Sequence, residues 1–224
     1  MSATTDLHEQ QNLQSPRSLD MGYPEKVAQA NYPISELIKH RWSPRAFDSA
    51  RQIEHHKLLA LLEAARWAPS CYNEQPWRYM VFDGSDPDAL ERARNCLVAF
   101  NVWARKAPLL MLSVAHERFT QNGTPNRHAQ HDLGIASGYL VLEAVNQGLV
   151  AHQMGGFDVE RARREFGIPV GFTPIAMVAV GYAHRGPLDG FPAMLKSMEL
   201  QPRQRKSINE IVYSGRWNAP FNEK

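Results

Sequence analysis

Cysteine is scarce in this 224-residue sequence. Cys71 and Cys96 are the only two, which excludes a disulfide framework and offers no paired spacing for a structural zinc. A reducing, cytoplasmic compartment is the expectation. Long apolar runs are missing as well: the longest, 108–115 and 175–180, fall far short of the roughly 20 residues that cross a bilayer. Residues 1–30 contain no apolar stretch of the kind a secretory leader needs, so no leader and no membrane contact are expected. Neither sign of charge is in excess. Lys and Arg number 25 against 23 Asp and Glu, a net of +2, whereas nucleic acid requires a concentrated basic face; no such partner is expected. No Gly-x-Gly-x-x-Gly follows a strand-like run, which removes a separate dinucleotide-binding domain. No Gly-x-Ser-x-Gly elbow supports Ser70 as a hydrolase nucleophile. His116, His128 and His131 lack acidic or cysteine partners at metal-ligand intervals, so they read as surface histidines and no metal is expected. Cys71 could be a redox thiol, but no resolving cysteine lies near it in sequence.

What is present is ordinary core material, with 43% hydrophobic residues. Residues 1–30 are rich in Gln, Ser, Asp and Asn and predict a flexible arm, with order beginning near Pro33 and one domain filling 31–224. Ile34, Leu37 and Ile38 recur at helical spacing and predict a short helix that stops before Pro44. Leu58, Leu59, Leu61, Leu62 and Ala65 predict the buried stripe of a helix over 54–66. A strand is predicted at 77–83, then a helix opened by Asp86-Pro87 and running to about Ala99. The apolar run 108–115 predicts a central strand. A long helix over 127–147 follows, with Leu133, Ala136, Leu140 and Ala144 on one face and Gly148 as its stop. The small residues Gly134, Ala136, Ser137 and Gly138 predict close helix approach in the middle of the fold. Strands at 149–154 and 174–182 bracket a helix at 159–166, and residues 207–214 fit a short helix or strand. The proline-rich segment after Gly186 shows little periodicity and predicts a loop or arm lying on something else. Helices and strands mix without regular alternation, so the fold class is α+β.

Four segments could carry chemistry. Arg41-Trp42-Ser43-Pro44-Arg45 sets two guanidiniums and a hydroxyl around a tight turn, the makings of half an anion cradle; it also fits a solvated helix end. In Pro69-Ser70-Cys71-Tyr72-Asn73-Glu74-Gln75-Pro76-Trp77, two prolines bracket a polar loop able to meet a heteroaromatic edge, or merely to connect two elements. Gly155-Gly156 follows a strand and would let a ligand approach the backbone, though turns use glycine for steric reasons alone. Arg203-Gln204-Arg205-Lys206 lies more than 150 residues beyond the first cluster and could complete its cradle or remain a solvated face.

Taken together, their order and flanking elements resemble the nitroreductase family of flavin-dependent oxidoreductases, over about residues 33–214. The resemblance implies a three-layer sandwich with a central, mostly antiparallel sheet flanked by helices, and a C-terminal arm exchanged across a homodimer. It implies FMN as cofactor, with NADH or NADPH as electron donor. In that family the Arg-x-Ser-x-Arg segment holds the phosphate and ribityl oxygens, which assigns Arg41, Ser43 and Arg45, with Trp42 contributing main chain. The proline-serine loop reaches the flavin from the partner subunit, implicating Pro69, Ser70 and Cys71, with Asn73 and Gln75 shaping the loop. The glycine turn meets the ring near N5, implicating Gly155 and Gly156. Basic residues near the C-terminus finish the phosphate site, here Arg205 and then Arg203. Some members also touch the ring with an asparagine or lysine, a place given to Asn101. Several relatives carry a glutamate where Gly155 stands, so any role of that carboxylate is absent.

The implied activity is ping-pong reduction of nitroaromatic, quinone or similar electron-poor acceptors, with the nicotinamide visiting the flavin directly and no side chain needed as acid or base. Rival readings are the same fold running other chemistry (oxidase or desaturase, dehalogenase, enone reductase), or a flavin-binding protein without catalysis.

Overall fold

Alternation decides the architecture. The structure, a computed structural model, describes residues 26–221. Its helices are α1 (Glu36–His40), α2 (His55–Arg66), α3 (Pro87–Asn95), α4 (Ala129–Asn146), α5 (Val159–Glu165) and α6 (Ala193–Leu200). Its strands are β1 (Trp77–Phe82), β2 (Leu109–His116), β3 (Val150–Met154) and β4 (Phe172–Gly181). The strands form one sheet in the order β1-β2-β4-β3, antiparallel at every pairing. Successive side chains of a strand point to opposite faces. Accordingly Leu109 and Met111 of β2, with Val178 and Val180 of β4, join Leu58, Leu61, Leu133 and Leu140 of α2 and α4. Leu110 and Leu112, with Met177 and Ala179, join Phe82, Leu90, Trp103 and Phe157 on the other side. Two cores on the two faces of one sheet make three layers, the α+β sandwich that the resemblance implies. The near-continuous burial of β2 follows from its cover on both faces and its place between two neighbours.

Local chemistry accounts for several element ends. The Asp86 carboxylate accepts the Ala89 N–H at 2.9 Å and caps α3, with Pro87 at its first position. Gly148, at φ +71, stops α4 in a conformation that other residues rarely adopt. Within α4, Ala136 and Ser137 are buried, and the Ser137 hydroxyl meets the Tyr79 hydroxyl at 2.9 Å. Burial pushes that phenol up to about 12.

Tertiary contacts override the sequence pattern at five places. Leu59 is half exposed, because the buried stripe of α2 is narrower and comprises Leu58, Leu61 and Ala65. A Cβ on Gly134 or Gly138 would meet open space, so of those four small residues of α4 it is Ala136 and Ser137 that are buried. Helix α3 ends at Asn95 instead of near Ala99: Leu97 forms a bridge with Phe157, and the Asp158 N–H bonds the Cys96 carbonyl at 2.7 Å. A 3-10 segment, Ala99–Lys106, follows. The segment expected as loop contains α6, entered through Pro192 and left before Pro202; the prolines that obscured its periodicity sit outside its ends. Finally, the residues just ahead of Pro33 are not loosely draped. The Ala28 N–H bonds the Lys39 carbonyl at 3.0 Å, and the Lys26 ammonium lies 4.7 Å from the Trp42 ring centre. The rest of the expected arm, 1–25, lies outside the described residues. Residues 207–214 hold a 3-10 turn, Ile208–Glu210, closed by a Ser207–Glu210 capping box. No helix among the described residues is long and apolar enough to cross a membrane.

Candidate functional site

Helix α1 ends at His40, and the chain then runs extended from Arg41, whose N–H bonds the Leu37 carbonyl at 3.0 Å. The Arg41 guanidinium donates to the Ser43 hydroxyl at 3.2 Å, while Trp42 is buried beneath. From the far end of the chain, Arg203 donates to the carbonyls of Lys39 at 2.6 Å and Lys26 at 2.8 Å, docking the tail against α1. Arg205 bonds the neighbouring Gln204 carbonyl at 2.7 Å. The three guanidiniums feel one another. Burial, then repulsion from Arg205, pushes Arg41 below its usual range; burial, then repulsion from Arg41 and Arg205, does the same to Arg203. None of the three pairs with a carboxylate among the described residues. Gathering cations without a counter-charge is unfavourable unless an anion joins them, and guanidinium forks match phosphate oxygens in pairs. The donor set therefore fits a phosphate group.

Glu199, on α6, is fully buried, and it organises this corner. Its carboxylate accepts the Arg45 N–H at 2.9 Å to each oxygen and the Ala46 N–H at 3.1 Å. One side chain thus ties α6 to the Arg41–Arg45 segment. Sequence reasoning missed it, since a lone glutamate in a proline-rich stretch gives no signal. His152 on β3 was missed too. Its Nδ1 lies 2.9 Å from the Pro44 carbonyl, and its ring is 4.6 Å from that of Trp103. Burial drives its pKa down to about 4, and repulsion from Arg45 and Arg41 acts in the same direction. Neutral histidine must then donate from Nδ1 to that carbonyl, which holds the turn from below.

Arg45 is placed differently from its neighbours. Its guanidinium carbon is 6.0 Å from the Trp103 ring centre, and it lines a cavity of about 840 Å³ between α6 and the 99–106 segment.

Two further candidates meet directly. Asn101 is buried in the 3-10 segment and donates to the Gly156 carbonyl at 2.9 Å. A Cβ on Gly156 would stand 2.6 Å from the Asn101 amide nitrogen, so glycine there is a packing requirement. Gly155 is exposed with open space at its Cβ position, which leaves its backbone approachable.

The Pro69–Cys71 loop is anchored elsewhere, on α4. The Cys71 N–H donates to buried Asp132 at 2.9 Å, and the Ser70 hydroxyl accepts the Gln75 N–H at 3.0 Å. Tyr72, Asn73 and Gln75 all adopt positive φ, at 53°, 56° and 53°, a left-handed backbone stored in a tight loop. Asn73 and Gln75 thus shape the loop, and Trp77 packs into the core. No hydrogen bond or ion pair joins this loop to the arginines among the described residues. The two cysteines are free thiols, and no group of three potential metal ligands occurs among the described residues.

A family model described as the nitroreductase family matches residues 38–182. A solved structure described as an oxidoreductase containing FMN superposes with a TM-score of 0.78 at 31% identity, covering 85% of this chain and 96% of that one. The chain is 32% identical over 170 residues to an NADH dehydrogenase of Thermus thermophilus, covering 59% of this chain and 82% of the relative. It is also 38% identical over 121 residues to a 15.4 kDa protein of Mycolicibacterium smegmatis, covering 54% of this chain and 79% of that protein.

Proposed function

Because this chain belongs to the nitroreductase family, we propose that it is an FMN-dependent oxidoreductase drawing electrons from NADH or NADPH to reduce nitroaromatic, quinone or similarly electron-poor acceptors. The observation that carries the reading is the convergence of Arg41, Arg203 and Arg205 with no carboxylate partner among the described residues. Arg41, Ser43 and Arg205 would hold the phosphate. Arg203 already spends donors on two carbonyls and would act mainly by docking the tail and adding charge. The main chain of Trp42 and Arg45 would border the ribityl chain, with the Arg45 side chain turned to the adjacent cavity. The open backbone at Gly155, steadied by the Asn101–Gly156 bond, would face the ring edge. FMN, when bound, would supply the hydride chemistry that links the nicotinamide to the acceptor. The protein's residues bind, orient and exclude water; none is asked to carry a proton.

A homodimer completes the site in this reading, with Pro69, Ser70 and Cys71 reaching the cofactor of the other subunit and the C-terminal arm exchanged. Two features support it. The loop is pinned to α4, and Trp67 before it and Tyr72 within it are large side chains left 70% and 91% accessible.

The test is spectroscopic. Purified protein should carry the blue-light absorbance of oxidised flavin, or gain it on incubation with FMN, and NADH or NADPH should bleach it. Arg41→Ala should weaken FMN binding about 10- to 100-fold, as expected when a charge-assisted hydrogen bond worth roughly 1.5–3 kcal/mol is lost. Protein that takes up no flavin would overturn the reading. Full FMN affinity in the variant would remove Arg41 from the site. Sizing chromatography checks the dimer.

A further inference from the structure

We propose that the cavity between α6, the 3-10 segment 99–106 and Arg45 is a second ligand site, which takes a compact organic anion: one carboxylate on an aromatic or branched apolar body. The inference does not depend on the flavin reading.

Size comes first. About 840 Å³ falls in the range of small-molecule sites and is far more than an inorganic ion fills. Phe47, Phe100, Phe191, Leu195 and Met198 supply an apolar lining. The two methionines of α6 that line it, Met194 and Met198, are flexible enough to fit different outlines. A ligand with an apolar body is the natural occupant.

The charge of the wall selects its head group. Arg45, Arg94, Arg105 and Lys106 line the cavity against a single carboxylate, Glu91. Glu91 is shared between Arg105, which it touches closely, and Arg94 at 3.7 Å. Arg45 and Lys106 have no carboxylate partner among the described residues. The Arg45 guanidinium makes no hydrogen bond among the described residues either; the hydrogen bonds of this residue are through its main-chain N–H.

Unmet hydrogen-bonding capacity points the same way. Five buried side-chain nitrogens among the described residues lack a partner, and three of them belong to cavity-lining residues: Arg45 Nε, Arg94 Nε and Trp103 Nε1. All three are donors. Trp103 is more than nine-tenths buried, and an indole N–H without an acceptor is costly in such a place. A carboxylate entering beside Arg45 and Trp103, with a small adjustment of those side chains, would supply acceptors to these unpartnered donors.

Titration calorimetry of the protein as isolated tests this with 2-naphthoate, its neutral isostere 2-naphthamide, and 2-naphthyl phosphate. Saturable binding of one naphthoate per chain is expected, with the amide about 10-fold or more weaker, since the amide lacks the charge that strengthens the hydrogen bonds. Met194→Glu places a repelling charge on an exposed residue at the cavity rim and should weaken naphthoate about 10-fold; Arg94→Gln should do likewise. Flavin content should be unchanged in both variants. Flavin-loaded and flavin-depleted protein should bind alike. Absence of binding, equal binding of the amide, tighter binding of the phosphate ester, indifference to both substitutions, or binding only in the presence of flavin would each overturn the proposal. Failure of the flavin reading itself would show separately, as protein that never takes up FMN.

Discussion

Two basic regions use the same side chain to opposite ends, and His152 touches a neighbour of each, Pro44 through Nδ1 and Trp103 through its ring. In the first, Arg41, Arg203 and Arg205 come from opposite ends of the chain, meet at the end of α1, and find no carboxylate among the described residues. In the second, Arg94 and Arg105 share Glu91, Lys106 beside them has no carboxylate partner among the described residues, and the three border an apolar cavity that Arg45 closes. A bare cluster of guanidiniums suits a small, highly charged group such as phosphate. A partly neutralised rim around apolar walls suits a single charge on a greasy body. Local chemical identity is therefore a poor guide to what an arginine binds; the neighbouring carboxylates and apolar surface decide it. Arg45 shows this most sharply. It belongs to the first cluster by sequence, and its side chain lines the second.

Glu199 joins the two regions, so removing it is the strongest way to break the comparison. Glu199→Ala would strand the buried N–H groups of Arg45 and Ala46, at about 1–3 kcal/mol each. We expect a loss of about 2–6 kcal/mol by urea denaturation at unchanged slope, together with poorer FMN uptake and poorer naphthoate binding. If only one ligand suffers, the regions are not coupled through α6.

His152 offers a pH test. Unfolded, His152 titrates at the ordinary value of 6.5; folded, it does so at about 4. Between those values the unfolded chain binds the extra proton, so stability is complete above about pH 6.5 and declines as the pH falls towards 4. The shift corresponds to about 3 kcal/mol at most. His152→Leu should flatten this part of the stability–pH curve, and an unchanged slope would reassign it to other groups.

Adjacent glycines give the finest discrimination. Gly156→Ala drives a methyl against Asn101 and Val98 and should cost about 1–3 kcal/mol. Gly155→Ala meets nothing and should stay within about 0.5 kcal/mol of the parent. If Gly155 faces the cofactor, its alanine variant should nevertheless lose FMN affinity, measurable by flavin fluorescence titration. Equal melting behaviour of the two variants would contradict the packing seen here.

Much of the architecture follows from residues read in order. The apolar run of β2 announced a central strand, Asp86-Pro87 marked the start of α3, and Gly148 marked the end of α4, because caps, stops and strand periodicity are short-range matters of backbone geometry and hydrogen bonding. The basic segments 41–45 and 203–206 were likewise recognisable as motifs, whereas the Arg94, Arg105 and Lys106 rim was not. Only the tertiary structure decided what surrounds them. Helix α6 depends on Glu199 finding amides some 150 residues away. The width of the buried stripe on α2 depends on what α4 covers. Arg45 depends on a cavity whose walls come from four separate segments. The physical reason is common to all three: burial and electrostatics are set by whichever groups end up nearby, and spacing along the chain carries no record of distance through space.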